Sequence, residues 1–172
     1  MRYRLTILIS TCVALAAPAA AQVHLVEAGI ICPRPTTGEL MEAPGTEAGF
    51  IRQIDESLVF DLPDRIVPTM DRLSFGFRTG VKLGTPSQIV TVVITHPPMG
   101  PRDVTREEWE DKIPAGTESL NLFTFEKEYE KVPGPWTFEI EKDGETLVEV
   151  PFTVVDAGGS SRVEAACFQF LS

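Results

Sequence analysis

Residues 135–155, PWTFEIEKDGETLVEVPFTVV, constrain the fold more than any other part of the chain. Trp136, Phe138 and Ile140 alternate with Thr137, Glu139 and Glu141, the period of two that puts one set of side chains on each face of a strand. Asp143-Gly144 follows, a pair suited to a two-residue hairpin turn because both central residues need positive φ. Val148, Val150, Phe152 and Val154 then alternate on the return. A helix would scatter these apolar residues around its circumference; a hairpin collects them on one face. Pro151 points away from that face and suggests a sheet edge, where a missing N–H costs no ladder bond.

The same period recurs elsewhere. In SQIVTVVIT, Val90, Val92 and Ile94 share a face. Shorter or weaker strand candidates are VHLVEAGII (23–31), FIRQID (50–55), SLVFDL (57–62), LSFGFRTGVKL (73–83) and SLNLFTFEKEYE (119–130), with VEAACFQF (163–170) closing the chain. Phe75 and Phe77 share a face with Gly76 between them, a candidate bulge. Proline and glycine punctuate the gaps between these runs. The helix signal is TREEWEDK, where Thr105 and Glu108 stand in capping-box register for one or two turns. Short strands separated by turn signals predict an all-β fold: an immunoglobulin-like antiparallel β-sandwich of about seven to nine strands with at most one short helix.

The first residues, MRYRLTILISTCVALAAPAAAQ, have a secretory signal pattern: Arg2 and Arg4, an apolar run, and a small-residue site at Ala19-Ala20-Ala21. The apolar run is shorter than the roughly 20 residues a membrane span needs. The organisation read from this is a signal peptide over 1–21 and a single domain over 22–172, periplasmic or secreted, with no membrane insertion after cleavage. Loss of Arg2 and Arg4 takes the formal charge from −10 to −12. Such a chain is repelled by nucleic acid and by anionic membrane surfaces. Cleavage also removes Cys12, leaving Cys32 and Cys167, which in an oxidising compartment are expected to form a disulfide.

LVEAGIICPRP, LSFGFR, VTVVITHPPMG and GPWTFEIEKDGETLVEVPFTVV, with the late cysteine in ACFQF, resemble an uncharacterised family of small exported bacterial proteins, a domain of unknown function. The resemblance spans most of the chain beyond the signal segment. It implies an immunoglobulin-like sandwich and export, and it brings no catalytic residues.

The sequence offers few candidate sites. His96 would serve as a general base, having an unperturbed pKa near 6.5. However, G-x-S-x-G and H-E-x-x-H are absent, and Pro97-Pro98 after it cannot donate ladder bonds. The expectation is a histidine at a strand end on the rim. Cleavage after Ala21 would leave Gln22-Val23-His24, whose amine, amides and imidazole form a square-planar site for Cu(II) or Ni(II), with His96 and Met99 as further ligands. Against this, His24 merely faces outward from the first strand. Glu126, Glu128 and Glu130 read as a solvated strand face, since the D-x-D-x-D-G calcium pattern is missing. Trp136 belongs to the core. Trp109 is either a plug over one end of the sandwich or, with Pro97, Pro98 and Met99, an exposed interaction patch. The leading expectation is an exported, non-catalytic binding or accessory protein for an unknown protein or small ligand, without a cofactor. The rivals are a copper- or nickel-binding protein and an unrecognised hydrolase.

Overall fold

In the computed structural model, which describes residues 22–168, the hairpin forms as its alternation dictates. The segment 1–21 and the last residues of VEAACFQF lie outside the described residues. β9 (Gly134–Lys142) and β10 (Glu145–Val155) pair antiparallel, with Trp136 opposite Phe152 and Phe138 opposite Val150. Asp143 and Gly144 have φ of 52° and 80°, the left-handed pair this turn needs. Pro151 faces outward, but β10 is not an edge along its whole length: β4 (Ile66–Pro68) pairs with it in parallel. That pairing covers only Thr153, Val154 and Val155, so Pro151 has a strand on one side alone.

Two sheets face each other. One has five strands in the order β4-β10-β9-β6-β7, with β6 spanning Gln88–Met99 and β7 Val104–Ile113. The other has three, β1 (Val23–Ile31), β5 (Ser74–Val81) and β8 (Glu118–Thr124), in the order β1-β5-β8. Between them Phe75 packs edge-on against Trp136, Phe138 and Phe152, with ring centroids 5.3–5.5 Å apart. Each of these buried aromatics is worth roughly 1.5–3 kcal/mol over an exposed one. A separate hairpin, β2 (Leu40–Glu42) with β3 (Phe50–Arg52), lies beside the open edges of β7 and β8. Helix α1 (Ser161–Phe168) closes the described chain. The fold is thus an immunoglobulin-like β-sandwich. Among the described residues, seven strands of seven residues or more build it, and three three-residue strands bring the number to ten.

Four local expectations are corrected. TREEWEDK is not a helix but the middle of β7. VEAACFQF does not end the fold as a strand; its first residues lie in α1, which buries Val163 and Cys167, four apart on one helical face. Cys167 is joined there to Cys32, just past β1. SLVFDL is irregular: Leu62 bridges Ile30, and the carbonyls of Glu56 and Leu58 accept from the buried Arg78 guanidinium on the outer face of β5. Gly76 is not a bulge. A Cβ there would lie 2.1 Å from the Asn121 carbonyl oxygen, so the glycine permits close approach of β8 to β5.

Candidate functional site

The five-stranded sheet is wider than the three-stranded one, and the mismatch leaves an opening between the edges of β7 and β8. The β2–β3 hairpin forms its third wall, enclosing a cleft of about 470 Å³. Alternation along β7 turns Glu107, Trp109 and Asp111 inward, opposite Ile94, Val92 and Val90 of β6. Beyond the mid-cleft Trp109, Asp111 Oδ2 accepts from Ser119 Oγ at 2.7 Å and from Asn121 Nδ2 at 3.2 Å, stitching β7 to β8. Phe50 and Ile51 of β3 and Leu122 and Phe123 of β8 supply apolar wall.

The opposite end of the cleft, beside the β6–β7 turn, gathers carboxylates. Glu107 is 4% exposed, Glu130 is 8% exposed, and the Glu47 side chain is buried against Gly100. The Glu47 amide donates to Glu107 Oε1 at 2.6 Å. The amides of Glu126 and Lys127 donate to Glu130 Oε2 at 2.6 and 2.7 Å, which ties off the 3-10 turn Glu128–Glu130. Arg102, itself largely exposed, donates from Nε to Glu47 Oε2 at 3.0 Å. Burial pushes Glu107 above the ordinary carboxylate range, and the charges of Glu130 and Glu47 add to that push, while the Glu47 amide and Arg102 oppose it. Burial likewise raises Glu130, against the two amides it accepts from. Tyr129 is raised by burial and then by these same carboxylates.

His96 lies behind this group, not on the rim. Its side chain is fully buried, the ring lying 4.6 Å from that of Trp136. Nδ1 pairs with the Pro97 carbonyl at 2.8 Å, and a carbonyl only accepts, so this nitrogen carries the proton. Nε2 is then a bare acceptor without a hydrogen-bond partner, 3.9 Å from Glu107 Oε2. Burial lowers the imidazole's affinity for a second proton. The strand does not stop at His96 because β6 continues to Met99. Pro97 and Pro98 sit where the ladder to β7 is interrupted between Thr95 and Met99 and where pairing with β9 has already ended at Thr95. Neither proline is asked for an N–H.

The remaining candidates separate. Cys32 and Cys167 form the disulfide. Trp136 is fully buried, and its Nε1 donates to the Val132 carbonyl at 3.0 Å. His24 is exposed on β1, in the other sheet from His96 and Met99, so the structure does not bring the three together. Among the described residues no group of three His, Cys, Asp or Glu side chains has metal-binding spacing. Met99 is buried, which breaks up the patch expected of it with Pro97, Pro98 and Trp109. Only Pro98 of the four is exposed; Trp109 is half-buried and faces the cleft, as Met99 does. Glu126 and Glu128 are exposed, but Glu130 is not part of a solvated stripe, because the strand ends at Thr124 and the chain turns inward. The sequence singles out neither Glu47 nor Glu107, and it places Glu130 on a solvated face. Continuing the alternation from Ile113 back through Asp111 and Trp109 would have placed Glu107 inside.

The family described as a domain of unknown function, DUF3859, matches residues 20–154. The chain belongs to this family. DUF3859 thus covers the sandwich through β10 and both walls of the cleft, and stops before α1. No curated protein sequence matches the chain. Among solved structures it is similar to an immunoglobulin-like protein from Pseudomonas aeruginosa, with 18% identity, a TM-score of 0.48, and coverage of 80% of this chain and 99% of that one.

Proposed function

We propose that this chain is an exported, non-catalytic binding module, and that its binding site is the cleft between β7 and β8 under the β2–β3 hairpin. The observation that carries the reading is the cleft itself. It combines an apolar wall, including Trp109, Phe50 and Leu122, with a few inward carboxylates, the mixture typical of small-ligand sites. The loop surface around Pro97 and Pro98 is a poorer candidate, because Met99 is buried away from it on the cleft side. Binding is favoured over hydrolysis by the burial of His96: its free nitrogen does not reach the surface where a substrate would sit. Export is supported by the disulfide, a bond characteristic of oxidising compartments. Among the described residues no helix is long and apolar enough to cross a membrane.

A thermal-shift screen with chemically mixed small molecules tests the reading. Leu122→Trp places an indole in the cleft wall and serves as the blocked control. Compounds that stabilise the parent chain are expected to lose their effect on the blocked one. A screen with no stabilising compound, or shifts untouched by the block, would remove the cleft as the binding site.

A further inference from the structure

The carboxylate end of the cleft holds more negative charge than the protein neutralises. Glu47 has Arg102. Glu107 and Glu130 accept hydrogen bonds only from backbone amides, each on one oxygen, with Arg102 and Lys127 acting on them through charge alone. Carboxylates this buried are costly unless a counter-charge or a proton meets them. The imidazole behind Glu107 supplies neither. With Nδ1 committed to the Pro97 carbonyl, it presents a lone pair at Nε2, fully buried, unpartnered and aimed at Glu107 Oε2. With Glu107 ionised, two acceptors lie 3.9 Å apart and neither supplies a donor to the other. Arg102 is committed to Glu47, so Glu107 and Glu130 lack a hydrogen-bonded cation of their own.

Resting on the reading of the cleft as the binding site, we propose that this end binds a primary ammonium group carried on an aliphatic chain. Glu107 and Glu130 take its N–H donors, and the carbon chain lies along Met99 and Trp109. A primary ammonium has three donors and a single charge on a slim stem. The wall beyond the carboxylates is apolar and aromatic, suited to methylene groups and to the face-on attraction of a cation. His96 acts as a positioning residue: its free nitrogen biases the Glu107 oxygen toward a donor arriving from the cleft. The titratable and charged groups around the site are Glu47 and Arg102 from the two turns, Glu107 from β7, His96 from β6, and Glu126, Lys127, Tyr129 and Glu130 from the segment after β8. Free alkylamines and the lysine side chain of a peptide share this chemistry.

The test is a nitrogen-15 NMR titration of the disulfide-bonded chain with hexylamine, hexyltrimethylammonium, hexanoate and the tripeptide Ala-Lys-Ala. Hexylamine is expected to shift the amides of Glu47, Glu107, Glu126 and Lys127 and the Nε2 resonance of His96. Hexyltrimethylammonium, with no N–H, should bind at least about tenfold more weakly, as should hexylamine to Glu107→Gln. Tighter binding of the tripeptide than of hexylamine assigns the ammonium to peptide lysine; the reverse assigns it to free amines. Equal binding of the quaternary cation or of hexanoate, or an unchanged affinity in Glu107→Gln, overturns the proposal. Glu130→Gln stands in if Glu107→Gln does not fold. Silence from hexylamine alongside uncharged or anionic cleft ligands in the thermal-shift screen rejects the ammonium and keeps the cleft. Silence in both experiments rejects both.

Discussion

β9 and β7 flank the same strand, β6, and both alternate with a period of two, yet they do opposite things. β9 turns Trp136, Phe138 and Ile140 onto the three-stranded sheet, and all three are fully buried. β7 turns Glu107, Trp109, Asp111 and Ile113 inward, and only Glu107 and Ile113 are buried, Glu107 without a counter-cation of its own. The difference is in what lies opposite. Five strands are faced by three, so the interior pattern is completed under β9 and left open under β7. The comparison teaches that a strand's inward face becomes core or site according to whether a second layer reaches it.

Substitutions should therefore act differently on the two strands. Phe138→Ala should cost about 3–5 kcal/mol in urea unfolding, as expected for an aromatic removed from a closed core. Trp109→Ala, on the open strand, should cost only about 1 kcal/mol by the same measurement while abolishing ligand shifts in the cleft. A large loss from Trp109→Ala would mean that the cleft side is core after all. Acidity provides the next contrast. Glu107 and Glu130 hold their protons more tightly folded than unfolded, so their contribution is fully present below the ordinary carboxylate range and is lost as pH rises through their raised values. His96 has the opposite sign: its contribution fails as pH drops through the ordinary imidazole value of 6.5 toward its lowered one. Glu107→Gln with Glu130→Gln should flatten the first slope, leaving the smaller share from Glu56 and Glu139, and should leave the second, read from melting temperatures between pH 4 and 8 at roughly half-unit steps. The smallest effect is expected on the outer face of β7. Arg106, which pairs with Glu108 and Glu141 in solvent, should lose no more than about 0.5 kcal/mol on replacement by Ala.

What the sequence revealed follows the same division. The β9–β10 hairpin was legible because its inward residues are apolar and its turn residues have a backbone reason to be there. β7 was not. With Glu107 and Asp111 at inward positions the hydrophobic alternation disappears, and Thr105 with Glu108 imitates a helix start. His96 was misplaced for a related reason: two prolines forbid ladder bonds, but they do not forbid an extended chain where no neighbour requires those bonds. α1 was read as a strand because a short apolar stretch suits either period, and only Val163 and Cys167, four apart, betray the helix. The disulfide was legible because it needed only a count. The site was illegible because it depends on two sheets of unequal width, a property of the assembled layers that no single segment carries.

The link between Cys32 and Cys167 spans 135 residues of chain. The covalent ring it closes encloses every described strand except the first, and it stays open until the segment that carries α1 has been made. Oxidation thereby fastens the sandwich only after its tenth strand exists. A molecule cut short before α1 would retain every strand of both sheets but would lack the partner that Cys32 needs to lock.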